Sequence, residues 1–512
     1  MIRLDHISKS SIVLGCVTIG TKGIGYLEKI ILAYYFGTTL KVDVYNVILL
    51  AITNIFIFFR EIVEPGYLNL FLKKKNANDD EGAWKLFNTY FSYILLASGL
   101  ITIGAMMFPE SIIKLYSPGL SEENKEITRI FVLIAMPSCI FLSLSTLTGI
   151  TLNALKQFWI PASGELALKI LVIIALLGLY TTMGIYAAAI GLLIGSAIKL
   201  IVHLGFLWRY WLIKRVDFSI KYIKSTWSMT WPLIIGVIFS QIHTIVDTAF
   251  ASYSSEGSLS ALSYAKKIID FPILIFPYAL SIVIFPYMSE YVISNNKEKM
   301  ETLFAKILHI LCIVFVPLAI IFFVNASEIV NIAFKRGSFT QSSVDITSLP
   351  LQFYSIGLVF FALEAIIVIF FFAHANTKTP IIIGMLCSIE AILLTIAFTR
   401  HFGFAGVALS LVVSKMTKTV ILLVVARRYI SFRLKNRINN LCKIIIPAIA
   451  MALTIKWLQE INLDNEVHST YASIYLQLWP SIVGLAIYVV SSLILHIKAI
   501  RNENGFRLVY RR

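Results

Sequence analysis

Charge is scarce in this chain: aspartate, glutamate, lysine and arginine together make up 14% of its 512 residues, while 58% are hydrophobic. So little charge excludes a soluble domain with an ordinary surface. Cysteine is rare too, and Cys16, Cys139, Cys312, Cys387 and Cys442 are scattered without metal or disulfide spacing, so they read as packing residues. No phosphate loop is present, because GTKGIG near Gly20 lacks the lysine-serine ending and the strand context that nucleotide binding needs. Nor does any loop offer room for the acidic or metal-binding site of a membrane glycosyltransferase. The chain therefore reads as a non-enzyme, driven by an ion gradient, by the membrane potential or by removal of its substrate. No small-residue cleavage site follows the first apolar stretch, so that stretch is expected to remain as a membrane span.

Apolar runs supply almost everything else. They fall near 11–36, 44–72, 86–108, 127–154, 160–181, 184–208, 227–251, 259–292, 302–325, 347–374, 379–399, 404–426, 442–459 and 474–497. A hydrocarbon core about 30 Å thick takes roughly 20 helical residues per crossing, which predicts an all-α polytopic membrane protein with about 14 transmembrane helices. The runs are continuous and lack the alternation of barrel strands.

Acidic residues number 28 against 44 lysines and arginines, a net charge of +16. The basic residues crowd alternate loops, among them Lys73 to Lys75, Lys156, Arg209, Lys297, Lys378, Arg427 and the tail from Lys498 to Arg512. Lys and Arg near membrane ends stay on the cytoplasmic side, so both termini are expected there. The basic excess then belongs to a membrane face and implies no nucleic-acid partner.

A duplication runs through the chain at a shift of 219 residues: KQFWIP matches ANTKTP with Pro161 opposite Pro380, and GIYAAAIGLL from Gly184 matches GFAGVALSLV from Gly403. Lys199 and Lys418 fall in equivalent places, as do LYSPGL and FKRGSF with Pro118 opposite Gly337. Six spans per half predict two lobes related by a pseudo-two-fold axis along the membrane normal, a plan transporters use to rock around a central site. The expected division is 1–215 for the first six-helix lobe, 216–430 for the second, and 431–512 for two extra helices and a basic tail.

Ionisable groups within apolar spans are costly and mark cavities or partners. Here they are Lys22, Glu28, Lys29, Asp43, Arg60, Glu61 and Glu64 in the first half, and His243, Asp247, Lys266, Lys267, Asp270, Glu364 and Glu390 in the second. Lys22, Glu28 and Lys29 lie close enough in sequence to neutralise one another, and Arg60 reaches Glu64 at i,i+4. As a group they predict a solvated, net cationic cavity suited to a phosphate or pyrophosphate. The EPG tripeptide at Glu64 to Gly66 predicts a bend in the second span.

Several segments together resemble the MurJ/MviN family of lipid II flippases, within the superfamily of multidrug and polysaccharide exporters. They are LAYYFG before Asp43, FFREIVEPGYLNLF, YSPGL, LNALKQFWIPA, DTAFAS, GSLSALSYAKKIIDFPILIFPYALSIVIFPYMS, FKRGSFT, FFFAHANTKTP and FGFAGVALSL. The resemblance implies two six-helix lobes in a V around a cationic cavity, with spans 13 and 14 forming a lipid-facing groove. It implies that an undecaprenyl-pyrophosphate-linked glycan is moved across the bacterial cytoplasmic (inner) membrane without chemistry. It also implies dependence on membrane potential, a monovalent cation such as Na+ in some members, no other cofactor or metal, and cell-wall synthesis machinery as a candidate partner. Lys22 and Lys267 stand at family arginines, Arg60 keeps the second of a paired arginine, and Asp43 is retained. Asp247 matches an acidic position found in part of the family. Glu28 stands where an arginine is usual, Lys29 where an aspartate is, and Phe59 replaces the first paired arginine. The expected substrate site is thus Lys22, Arg60, Lys267, Asp43 and Glu28, and the candidate cation site is Asp247 with Glu390. Lipid II is the leading cargo. The departures keep open a lipid-linked exopolysaccharide or O-antigen unit; a cation-coupled drug exporter and a non-transporting scaffold are further alternatives.

Overall fold

The computed structural model describes residues 20–119, 125–211, 218, 220–430, 434–462 and 478–495. These form helices α1 (20–36), α2 (Leu40–Asn76), α3 (Asp80–Met107), α4 (Pro109–Tyr116), α5 (Lys125–Ala135), α6 (Ser138–Ala154), α7 (Trp159–Met183), α8 (Tyr186–Leu207), α9 (Ile220–Ser252), α10 (Ser258–Ile293), α11 (Lys297–Val324), α12 (Ala326–Phe334), α13 (Gln341–Ala373), α14 (Lys378–Phe402), α15 (Ala405–Ala426), α16 (Leu434–Asn462) and α17 (Leu478–Leu495). There is no strand among the described residues. Among the described residues thirteen stretches of helix are long and apolar enough to cross a membrane, so the chain is an all-α, multi-pass membrane protein. Residues 11–19 of the first expected span, Cys16, both termini and the basic tail lie outside the described residues.

Two details depart from the sequence reading. The expected span 127–154 is built from two helices, α5 and α6, which part at Met136 and Pro137, where proline supplies no amide hydrogen. Short amphipathic helices α4 and α12, which hydropathy alone passes over, each follow a long span. Helix α2 stays helical through Glu64 to Gly66.

The duplication is visible in the backbone. Trp159–Met183 and Lys378–Phe402 have bounds shifted by 219 residues at both ends, and so do Tyr186–Leu207 and Ala405–Ala426. The turns repeat as well, with left-handed φ of 62° at Lys156 and 53° at Ala375, then 56° at Gly184 and 57° at Gly403.

Two compact units emerge from the packing: Met1–Lys267 with Lys335–Ser343 and Gly384–Ser410, and Ile268–Phe334 with Val344–Ile383 and Leu411–Arg512. The first has a core between α2, α3, α6 and α8 in which Tyr67, Phe71, Trp84, Phe87, Leu147 and Leu207 are buried. Helices α7 and α8 approach closely at Gly191 and Gly195, where an added Cβ would lie 2.7 Å from Val172 Cα and 3.0 Å from Leu168 O. Such small-residue spacing lets membrane helices pack backbone to backbone. Asp79 caps α3 by accepting from the Gly82 amide, and the Lys74 ammonium beside it, together with that amide, holds its carboxyl below the usual range. In the second unit, Met451, Ile455 and Tyr488 bring α16 and α17 together against Val316 and Ile320 of α11. Asn325, fully buried, donates to Ser481 at 2.8 Å and accepts from Gln459 at 3.2 Å, tying the end of α11 to both added helices.

Candidate functional site

A cavity of about 630 Å³ opens in the first unit, within the range of small-ligand sites. Thr21, Lys22 and Gly25 line it from α1, Pro161, Ala162, Glu165 and Lys169 from α7, Lys267 from α10, with Asn153 and Phe158 flanking the α6–α7 turn. From Ala162 through Glu165 to Lys169 the α7 residues recur every three or four positions and so share one face, with Pro161 four positions before Glu165. Pro161 is accommodated because it lies in the first helical turn, whose amides have no intrahelical acceptor. Gly25 leaves room for Lys267: an added Cβ would stand 3.4 Å from its Nζ.

The cavity is cationic, with its carboxylates already engaged. Lys169 donates to Glu28 at 2.8 Å, and Glu28 is buried beneath the lining. Glu165, 43% exposed at its side chain, is bound from behind by Lys199, which is 8% exposed and does not line the cavity. The long-chain ammonium groups of Lys22, Lys169 and Lys267 can each meet a phosphate oxygen as point charges, without the planar fork of arginine.

Of the residues singled out from sequence, Lys22 and Lys267 come together on this cavity, and Glu28 meets it through Lys169. Glu28 takes a partner from α7 in place of Lys22 or Lys29, since neither a neighbour nor a residue six positions away on a helix shares its face. Lys29 donates instead to Asn46 at 2.9 Å and Ser263 at 3.0 Å. Arg60 forms the anticipated i,i+4 pair with Glu64 at 3.1 Å, with both side chains about half exposed, and it is not among the residues lining the cavity. Asp247 accepts from Thr395 at 2.7 Å and has His243 Nε2 3.0 Å from its other oxygen. Glu390 is half-buried on α14, the helix that also carries Thr395. Among the described residues no group of three or more His, Cys, Asp or Glu is arranged to hold a metal ion.

Asp43 lies elsewhere, in a polar clasp around the α1–α2 turn. Its buried carboxylate accepts from the amides of Gly257 at 2.8 Å and Ser260 at 2.7 Å and from the Ser260 hydroxyl, so a side chain of α2 caps the start of α10. Leu40 N donates to Glu256, Tyr264 to Gly37 O, Thr38 and Ser343 share a hydrogen bond, and Ser338 N donates to Tyr34 O. Gly37 and Gly257 have φ of 58° and 84°, and an added Cβ would fall 2.5 Å from Ser338 O and 2.4 Å from Thr38 O. Strain and collision act together there. Gly257→Ala is therefore expected to release the clasp, read as faster thiol labelling of a cysteine at Ser343, which is buried and shares a hydrogen bond with Thr38; unchanged labelling would contradict it.

Comparison with known proteins agrees with this architecture. The lipid II flippase MurJ family model matches residues 32–477. A probable lipid II flippase of Buchnera aphidicola subsp. Baizongia pistaciae is 26% identical over 418 residues, covering 79% of this chain and 80% of that protein. The lipid II flippase of Thermosipho africanus is 28% identical over 499 residues, covering 96% and 97%. A solved lipid II flippase in an inward closed conformation superposes with a TM-score of 0.80 at 25% identity, covering 96% of this chain and all of that one. An inward-facing multidrug MATE transporter shares the fold alone, with a TM-score of 0.67 at 14% identity over 81% of this chain and 97% of its own. The match to the family model spans most of the sequence, and the chain belongs to the MurJ family of lipid II flippases.

Proposed function

We propose that the protein is a flippase that carries lipid II, the undecaprenyl-pyrophosphate-linked peptidoglycan precursor, from the inner to the outer leaflet of the cytoplasmic membrane. The observation that carries this reading is the lysine-lined cavity in a chain matched along 32–477 by the flippase family. Lysines attract the pyrophosphate, the open volume admits polar sugar, and the lipid tail stays in the bilayer. No bond of the cargo is made or broken.

The positive-inside rule puts Lys73 to Lys75 and the α6–α7 turn with Lys156 on the cytoplasmic side. Asn153 and Phe158 then mark a cytoplasmic mouth, while the clasp around Asp43 closes the opposite end. Alternating access would open the clasp and shut the mouth. Asp247, with Thr395 and His243 beside it and Glu390 on the same helix as Thr395, is the best-supported place for a coupling monovalent cation.

Expression in a bacterium depleted of its own lipid II flippase tests the cargo. Growth should return and lipid II should cease to accumulate on the cytoplasmic face. Correct insertion without rescue would transfer the assignment to another lipid-linked glycan.

A further inference from the structure

The second unit holds a charged group of its own, which neither the cavity nor the clasp uses. Glu364 of α13 is paired with Lys415 of α15 at 2.8 Å and with Lys418, about one turn further along α15, at 2.6 Å. The duplication supplies an internal comparison. At the shift of 219 residues Lys418 answers to Lys199, which has Glu165 as its own carboxylate, whereas Lys415 answers to Ser196, a buried serine. Lys415 is thus an ammonium that only the second half carries. Among the described residues the one carboxylate at ion-pair distance from it is already shared with Lys418.

Exposure says where the added charge acts. The Lys415 side chain is 33% exposed, against 17% for Lys418 and 10% for Glu364. The apolar stripe of α15 that meets lipid is marked by Val420 and Val424, 51% and 53% exposed. Lys415 precedes Val424 by about two and a half helical turns and so projects from the opposite side. An ammonium in the middle of a spanning helix is stable there only where water or an anion reaches it. Accepting the flippase reading above, we propose that Lys415, held in place by Glu364, binds a carboxylate of the cargo, one carried by the peptide of a peptidoglycan precursor. A carboxylate takes up the donors that the shared Glu364 leaves and cancels the surplus charge, which uncharged sugar does not. The site therefore selects a peptide-bearing cargo over a lipid-linked polysaccharide unit.

The test uses the full-length protein in nanodiscs and two probes, lipid II and the same lipid with its peptide carboxylates amidated. Wild type should bind the first about tenfold more tightly, the lower end of what a hydrogen bond between charged groups contributes. Lys415→Met should erase that preference, lowering the binding of lipid II to the level of its amidated form, and Lys415→Arg should retain most of it. Lys22→Ala should weaken both lipids by the same factor and leave their ratio unchanged. Equal binding of the two lipids by wild type, or a preference that survives Lys415→Met, overturns the inference. If neither lipid binds to wild type, or if Lys22→Ala weakens neither, the flippase reading fails and takes this inference with it. Because the readout is a ratio between two ligands, a variant that merely folds in lower yield does not move it.

Discussion

Alanine at Lys22, Lys169 and Lys267 together should abolish flipping while the protein still inserts. Each lysine offers a charge-assisted hydrogen bond worth about 1.5–3 kcal/mol, so losing all three weakens pyrophosphate binding by well over about 100-fold. Removing Lys169 also strands the buried Glu28 carboxylate, so Glu28→Gln belongs in the same variant to keep the helix pair neutral. Arg60→Ala serves as the contrast. Its pair with Glu64 is exposed and local, the kind that contributes about 0.3–0.5 kcal/mol, and growth rescue should persist. Growth restored by the triple-lysine variant, at normal expression, would overturn the cationic-cavity mechanism.

Asp43→Ala should be the most damaging single change to stability. It leaves the buried amides of Gly257 and Ser260 without an acceptor and removes a carboxylate from the start of α10. An orphaned buried donor costs about 1–3 kcal/mol, so a loss on the order of 3–5 kcal/mol is expected. Asp43→Asn keeps the shape and part of the accepting capacity, and should lose roughly half as much. Thermal unfolding in detergent, followed by the emptying of the folded size-exclusion peak, ranks the three proteins. An alanine variant within about 1 kcal/mol of wild type would mean that the clasp is held by other contacts.

What is legible in the sequence is local or periodic. The helices crossing the membrane follow from hydropathy, and the duplication from motifs at a fixed offset, which the paired bounds of α7 with α14 and α8 with α15 reproduce. The Arg60 and Glu64 pair is legible because four residues make one helical turn. Glu28 is not, since its partner is 141 residues away on α7. Glu165 and Lys169 escape a reading by motif, although two charges at i,i+4 inside an apolar span are themselves a signal. Each is bonded to a different helix, an outcome that no sequence spacing encodes. In the sequence Lys199 stands out only as a mark of the repeat, and its pairing with Glu165 requires the fold.

The cap that Asp43 provides also imposes an order on biosynthesis. Its first acceptor contact joins residues 214 positions apart, so α2 leaves the ribosome long before α10 exists. At about 5–20 residues per second the carboxylate waits roughly 10–40 s for its donors. During that interval the nascent chain carries an acid in the membrane that only the later half can satisfy. The early helices must therefore remain sheltered, by the insertion machinery or by one another, and a stalled or truncated chain would expose this acid as a mark of incompleteness to the proteases that survey the membrane.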